Sequence, residues 1–204
     1  MGRVREIHRR RGGRREIELD GGERLCWPAP VVREVDVEPG KEVSISKLKQ
    51  RLQQAAADIF PAKAREYLAQ YEQTSHRFRE HFKRKGYPTQ LINSLIPTLR
   101  EEGYLDDERF ARAHVEKRLR NKPRGRRKII AELCEKGVDR ELARSVVEAQ
   151  VDAETERRLA RRYCEDNKGL SKRKLAGRLQ TRGFPPHLIR ELLNEYSGDD
   201  GNKI

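Results

Sequence analysis

The 204-residue sequence has few of the residues that build a large core. Hydrophobic residues make up 35% and aromatic residues 6% of the chain, which suits small helical units that each bury a narrow apolar stripe. No apolar run approaches the ~18 residues of a membrane span. The arginine-rich N-terminus lacks the apolar core of a signal peptide. We therefore expect a cytoplasmic protein that has no membrane partner.

Cysteine and histidine are also scarce, and their spacing argues against bound metal. Cys26, Cys134 and Cys164 lie too far apart for metal-ligand spacing, and their odd number argues against a disulfide framework. His76 and His81 are five residues apart, whereas a metal-binding pair on a helix is four apart. No phosphate-cradling glycine loop or nucleophile motif is present. The sequence predicts no catalytic residue, no metal site and no cofactor.

What the chain has in abundance is charge, unevenly distributed. Charged residues make up 39% of the sequence and the net charge is +13. Residues 109–151 contain 13 Lys and Arg against 6 Asp and Glu, a net charge of +7, whereas residues 61–108 are neutral with 8 against 8. A focused positive field attracts polyanions. This favours binding to a nucleic acid or a protein–nucleic-acid assembly over the alternative, a basic protein with solvated faces.

The N-terminal region is predicted to contain a β-hairpin. Apolar residues alternate at Ile17 and Leu19, and again at Leu25 and Trp27, on either side of a Gly-Gly pair. A three-residue loop at residues 21–23 pairs Leu19 with Leu25 and Ile17 with Trp27, so that all four share one face. We prefer this register to the alternative with a two-residue Gly-Gly loop.

Three further predictions concern the same region. Residues 31–37 read as a third extended segment. Ser46 is expected to cap a helix that Pro61 ends. The arginine-rich residues 9–15 form either a mobile arm or a disordered segment. Because a lone hairpin is marginally stable, the strands should pack on another part of the chain.

The strongest internal signal is a threefold repeat centred on Gly86, Gly137 and Gly183. Apolar residues recur eight and four positions before each glycine and one position after it. They are Phe78, Phe82 and Tyr87, then Ile129, Leu133 and Val138, then Leu175, Leu179 and Phe184. The i, i+4 pair predicts a helix, the glycine a left-handed C-terminal turn, and the last residue the Schellman contact onto that helix. A second helix follows each turn, and another precedes each pair.

The predicted fold is therefore mainly α, with three tandem three-helix repeats forming an elongated array and a small N-terminal β-hairpin region. The predicted divisions are residues 1–60 for the hairpin region and a helix, 61–108, 109–151 and 152–197 for the three repeats, and 198–204 for a disordered tail.

Three sequence runs in and around the second repeat carry a family resemblance. They are GYLDDERFA at residues 103–111, KPRG at 122–125 and ELCEKGV at 132–138. Together with the repeat they resemble the RecX family of RecA regulators over residues 62–196. The resemblance implies a protein that binds along the groove of a RecA–single-stranded-DNA filament and inhibits RecA's ATPase, strand exchange and co-protease activity. We expect it to be a monomer. Such a protein would act in DNA repair, recombination and the SOS response. Binding to double-stranded DNA stays open.

Clusters of basic residues form the predicted binding surface. Residues 117–128 read KRLRNKPRGRRK, with eight basic and no acidic side chains, and Asn121, Pro123 and Gly125 break the helix. A bent basic segment can follow a phosphate backbone, and a solvated linker is the alternative. The predicted partner-binding or nucleic-acid-binding residues are Arg118, Arg120, Lys122, Arg124, Arg126, Arg127, Lys128, Arg157, Arg158, Arg161, Arg162, Lys172, Arg173 and Lys174.

The sequence also allows two alternative functions. The acidic run at 106–108 could belong to a metal-dependent nuclease, but acidic groups at a helix start complement the helix dipole, which is the simpler interpretation. A direct DNA-binding protein that contacts phosphates through its basic helices is the stronger alternative to a RecA regulator.

Overall fold

The computed structural model describes residues 1–195, which form two compact units. The first unit ends at Asp106 and the second begins at Asp107. No helix within the described residues is long and apolar enough to cross a membrane. The predicted tail at 198–204 and the last residues of the predicted third repeat lie outside the described residues. The predicted repeat boundaries stay predictions.

A short N-terminal sheet precedes a series of helices in the described residues. The strands are β1 (Gly2–Arg10), β2 (Arg14–Leu19), β3 (Arg24–Pro28) and β4 (Glu42–Val43). The helices of the first unit are α1 (Ala29–Glu34), α2 (Ile45–Gln70), α3 (Ser75–Lys85) and α4 (Thr89–Glu101). Those of the second unit are α5 (Asp107–Arg120), α6 (Arg126–Glu135), α7 (Arg140–Gln150), α8 (Ala153–Glu165), α9 (Lys172–Thr181) and α10 (Pro186–Glu195).

The mainly α fold with tandem three-helix repeats is confirmed. The repeats are α2–α4, α5–α7 and α8–α10, and the small sheet precedes them. Gly86, Gly137 and Gly183 have φ of 93°, 83° and 83°. After each glycine the next residue donates its N–H to the carbonyl five positions earlier, as Val138 does to Leu133 at 3.1 Å, which is the Schellman bond. The acidic run also behaves as predicted, because α5 begins at Asp107.

The N-terminal sheet has the order β3-β2-β1-β4, and its neighbouring strands are antiparallel. The predicted hairpin exists, but both weighed registers are wrong: Ile17 pairs with Leu25, not with Trp27. The loop is one residue earlier, and the Leu19 N–H donates to the Glu23 carbonyl at 2.9 Å. Asp20 is thereby freed to accept a hydrogen bond from the Arg3 N–H at 3.0 Å. The unforeseen strand β1 supplies this partner.

The arginine-rich residues 9–15 are part of the sheet, so the prediction of a mobile arm or disordered segment is wrong. Arg9 and Arg10 end β1 and pair with Arg15 and Arg14 of β2. A glutamate on the neighbouring strand offsets the crowded positive charge, since Arg10 Nη2 lies 2.5 Å from Glu16 Oε1.

The predicted extended segment at residues 31–37 is wrong as well, because α1 covers most of it. Val31, Val32 and Val35 are all buried, and the i, i+1, i+4 spacing belongs to one helical face. The β propensity of valine favoured a strand, but burial of this face against the core of the unit decides the conformation.

The helix that was expected to start at Ser46 and end at Pro61 instead runs from Ile45 to Gln70, with Ser44 at its N-cap. A proline inside a helix costs about 3 kcal/mol. Phe60 and Leu68, on either side of Pro61, are buried, and each large apolar side chain contributes about 1.5–3 kcal/mol on burial. Burial of the continuing apolar face therefore offsets the missing backbone hydrogen bond.

Each unit has its own hydrophobic core. In the first unit, sheet residues such as Ile17 and Leu19 share a core with α2, as the expected packing of the strands requires. The aromatic rings of Phe60, Phe82 and Tyr87 lie at its centre, with ring centroids 4.7–5.7 Å apart. In the second unit the apolar faces of α5–α10 form one continuous core.

The glycine turn of the second repeat gives a stability prediction. Gly137→Val forces a β-branched residue into the left-handed region at φ 83°, and we expect a loss of about 1–2 kcal/mol or more in the free energy of unfolding. Urea unfolding of the full chain measures it. Gly169→Val is the matched control, because its added side chain meets nothing within 4 Å and its φ is not positive. Equal stability of the Gly137→Val variant and the parent would contradict the account of the turn.

Candidate nucleic-acid interface

The basic segment, residues 117–128, joins α5 to α6 through a bend. α5 ends at Arg120 and α6 begins at Arg126, which confirms the predicted helix break. Between them Lys122 adopts a left-handed backbone with φ 52°. Pro123 and Gly125 are buried, so the bend is part of the packed structure of the second unit.

Backbone contact fixes the end of this bend. The Gly125 N–H donates to the Arg182 carbonyl at 2.9 Å. A Cβ atom at position 125 would lie only 2.3 Å from the Gly183 carbonyl oxygen, so only glycine fits here. The turn that ends α9 in the third repeat therefore packs directly on the start of α6 in the second.

A buried carboxylate on α6, Glu132, neutralises one side of the basic segment. Its side chain is 10% exposed, and Arg118 Nε donates to it at 2.6 Å. His114 Nε2 lies 3.1 Å away and Arg124 Nε 3.6 Å away. Burial alone would raise the pKa of the Glu132 carboxyl, but the hydrogen bonds from His114 and Arg118 outweigh it and hold the pKa below its usual range. The carboxylate therefore stays ionised, with a hydrogen bond from Arg118 and a longer ion pair to Arg124 that is not a hydrogen bond.

A second buried carboxylate, Glu156 of α8, holds the first residue of α6. One carboxylate oxygen accepts the Arg126 backbone N–H at 2.7 Å, and the other accepts Arg126 Nε at 2.8 Å. The Glu156 side chain is 3% exposed. It caps the positive end of α6, which has no acidic residue in its own first turn.

These ion pairs refine the interpretation of the basic segment. The segment itself contains no acid, so the carboxylates that pair with Arg118, Arg124 and Arg126 come from elsewhere in the fold. Carboxylates from α6 and α8 meet these three side chains. Of the remaining predicted residues, Arg120, Lys122 and Arg127 are exposed and Lys128 is half-buried. Arg120 also pairs with Glu116 at 2.9 Å on the surface.

The four arginines of α8 divide into two groups. Arg157 forms an ion pair with Glu191 of α10, and Arg161 forms one with Glu195 at 3.0 Å. Arg158 and Arg162 are exposed. Two of the four arginines are therefore paired with carboxylates of α10, and the other two remain exposed cations.

Two distant parts of the predicted surface do meet. Arg124 of the bend and Arg173 and Lys174 of α9 line the same open cleft in the second unit. Lys172, the first residue of α9, directly precedes Arg173 in the sequence and is half-buried. The predicted continuation of the basic segment onto the third repeat thus has a geometric counterpart at this cleft.

Sequence reasoning missed several residues of this surface. Arg178 of α9 and Arg182 at its C-cap line the cleft with Lys174, and their four-residue spacing was a signal for a shared helical face. The buried Glu132 lies between Ile129 and Leu133 of the apolar stripe, which was a signal for a buried charge. Nothing local in the sequence pairs Glu156 with Arg126, 30 residues away.

Fold and site together define a class: a protein of tandem three-helix repeats with a cationic surface on its second unit. This cationic surface consists of the basic segment, residues 117–128, and the neighbouring cations of α9, and buried carboxylates hold the segment in place. Within residues 1–195, no three His, Cys, Asp or Glu side chains come together in a way that could hold a metal ion. Residues 106–147 match the family model described as RecX, second three-helix domain.

Similar proteins extend this match along the chain. A regulatory protein RecX of Amycolatopsis mediterranei (strain U-32) is 31% identical over 144 residues, which cover 65% of this chain and 82% of that protein. One of Caldanaerobacter subterraneus subsp. tengcongensis is 26% identical over 193 residues, which cover 94% of this chain and 98% of that protein. The chain belongs to the RecX family.

A solved structure shares the fold. A crystal structure of regulatory protein RecX superposes with a TM-score of 0.60 at 20% identity and covers 96% of this chain and 100% of that one. At this identity the likeness concerns the fold alone, and it agrees with the three-helix repeats described above.

The buried Glu132 generates a stability prediction. Glu132→Gln leaves Arg118 and Arg124 without their counterion in a half-buried position. We expect a loss of about 1.5–3 kcal/mol in the free energy of unfolding, the range of hydrogen bonds to charged groups, since both guanidinium groups keep some contact with water. Urea unfolding measures the loss. Glu135→Gln, an exposed position on the same helix, is the matched control and should change little. A parent-like Glu132→Gln variant would show that the ion pairs do not hold the bend.

The same network predicts a pH dependence of stability. Burial, assisted by the charges of Arg118 and Lys136, lowers the pKa of His114, against the opposing hydrogen bond to Glu132. A lowered pKa means that the unfolded chain binds the proton more readily, so stability is present above the unfolded pKa of about 6.5 and is lost as the pH falls below it. We expect the free energy of unfolding to fall between about pH 7 and pH 5.5. His114→Gln should flatten this part of the profile, and an unchanged profile would contradict the assignment.

Proposed function

We propose that this protein is a non-enzymatic regulator that binds the RecA–single-stranded-DNA filament and inhibits RecA's ATPase, strand exchange and co-protease activity. It acts as a monomer in the cytoplasm, in DNA repair, recombination and the SOS response. Its contact with the filament is the cationic surface of the second unit.

Membership of the RecX family, whose relatives are named regulatory proteins, is the observation that carries this proposal. The charge of the second unit supports it. The exposed cations Arg120, Lys122 and Arg127 project from a bend held by buried ion pairs, so they are pre-positioned on a rigid support. A filament of RecA on DNA offers phosphates to such a surface.

A direct DNA-binding protein is the second candidate, and the cleft lined by Arg124, Arg173 and Lys174 favours it. The two functions differ in what controls binding. A filament binder should respond to the nucleotide state of RecA. A plain DNA binder should respond mainly to salt, through counterion release.

The deciding experiment measures RecA ATPase on single-stranded DNA with and without a stoichiometric amount of the protein. We expect the parent to inhibit. The variant Arg120→Ala, Lys122→Ala, Arg127→Ala should require on the order of tenfold more protein for the same inhibition, because three exposed cations leave the surface while the residues held by Glu132 and Glu156 remain. Its fold should survive, because largely exposed charges contribute little stability.

The matched control is Lys63→Ala, Arg77→Ala, Arg79→Ala, which removes three cations from the first unit and should inhibit like the parent. If the parent leaves the ATPase unchanged, RecA regulation is rejected. If both triple variants inhibit like the parent, these cations are only a solvated face.

A further inference from the structure

The strongest unassigned feature is the open cleft of the second unit, which we call the α9 cleft. It lies between the bend before α6, the C-terminal half of α8 and one face of α9, with a volume of about 680 Å³. Among the described residues no acidic side chain lines it. Its cationic lining consists of Arg124, Arg173, Lys174, Arg178 and Arg182.

Its cations are held in place by the surrounding fold. The guanidinium group of Arg182 lies over the Tyr163 ring, 4.2 Å from its centroid, which is a cation–π contact. Arg182 Nη1 also lies 3.4 Å from the Pro123 carbonyl oxygen. The Tyr163 ring is buried beneath Arg182. It therefore stabilises this guanidinium group and has no free face on which a base could stack.

One wall of the cleft carries more positive charge than its protein partners offset. Arg124 Nε is buried without a hydrogen-bond partner, with the Glu132 carboxylate no nearer than 3.6 Å. Burial and the nearby charge of Arg182 both lower the pKa of Arg124. An anion in the cleft would offset the repulsion between the guanidinium groups of Arg124 and Arg182, because both line it.

Helix α9 presents its cations in a row. Lys174 and Arg178 of α9 and Arg182 at its C-cap follow one another at four-residue intervals, so they lie one above the next about 6 Å apart along the helix axis. The helix also begins at this cleft. Its N-cap Ser171 makes no side-chain capping hydrogen bond, and its first turn contains no acid, so the positive end of the helix dipole adds to the field.

Between these cations the helix has no side chain at Gly177. Glycine in a helix interior costs about 0.5–1 kcal/mol relative to alanine. No steric reason within the protein demands it, because a Cβ at position 177 would meet nothing within 4 Å and the backbone φ is not positive. The missing side chain leaves bare helix backbone at the cleft, which gives a bulky group room to approach.

We propose that the α9 cleft binds the phosphodiester backbone of single-stranded DNA. A row of cations one helical turn apart matches the phosphodiester backbone, in which each unit carries one negative charge. A single carboxylate side chain of a protein partner would fill little of a cleft of this volume and would stay largely in water. The choice of DNA as the ligand rests on the proposed function. Because the contacts are to phosphates, binding is independent of base sequence.

The test fills the cleft at Gly177 and measures binding of fluorescein-labelled oligo-dT to the full chain by anisotropy, without RecA. Gly177→Ala should raise the thermal midpoint and keep the affinity, because one methyl group enters open space. Gly177→Glu should fold normally but weaken binding on the order of tenfold and flatten its salt dependence, because a carboxylate then occupies the phosphate position. Asn194→Glu adds the same charge at an exposed position outside the cleft and should stay within about twofold of the parent.

Two results would overturn the proposal. One is equal binding of oligo-dT by the parent and by a Gly177→Glu variant whose thermal midpoint shows that it is folded. The absence of binding by both proteins counts as this result. The other is unchanged oligo-dT binding with lost binding of labelled polyglutamate, which would assign the cleft to an acidic polypeptide. Inhibition of RecA ATPase by the parent is scored separately, so failure of the cleft and failure of RecA regulation are distinguishable.

Discussion

Two buried carboxylates, Glu132 and Glu156, hold the basic surface of this protein together. A segment with eight basic residues in 12 repels itself, and a bend concentrates that repulsion. The carboxylates come from α6 and α8, outside the bend, and bind Arg118, Arg124 and Arg126 from within the fold. Three cations thereby become supports, and their neighbours can remain exposed without unfolding the segment.

The glycine turns give this arrangement its geometry. The Schellman turn at Gly183 ends α9 and meets the start of α6 through the hydrogen bond between the Gly125 N–H and the Arg182 carbonyl. The second and third repeats are therefore joined backbone to backbone at the point where the basic segment meets α9. Arg124 and Arg182, 58 residues apart, face the same cleft because of this contact.

The parts of the fold that local rules determine could be predicted from the sequence. The spacing of apolar residues around Gly86, Gly137 and Gly183 predicts helix, turn and helix, since both the apolar stripe and the left-handed glycine are local requirements. The N-terminal region was predicted less well. The register of β2 and β3 depends on Arg3, which comes from a strand that was not foreseen. The helical conformation of α1 depends on burial of its apolar face against distant elements. The continuation of α2 beyond Pro61 depends on the same kind of burial.

The candidate site shows the same limit. The basic segment is visible in the sequence, and its bend follows from Asn121, Pro123 and Gly125. The division of its arginines into supports and exposed cations depends on Glu132 and Glu156, which only the tertiary structure brings near. The density of basic residues along the chain does not reveal the α9 cleft, whereas the four-residue spacing of Lys174, Arg178 and Arg182 places them on one face.

The central claim is that this fixed cationic surface binds a RecA–DNA filament through phosphates. The most direct measurement is the affinity of the parent chain for preassembled RecA–oligo-dT filaments across a series of salt concentrations, with RecA held in its ATP-analogue form and in its ADP form. The account predicts a logarithmic affinity that falls with log salt by about 0.7 per phosphate contacted, and a difference between the two nucleotide forms. An affinity that changes with neither salt nor nucleotide would contradict it.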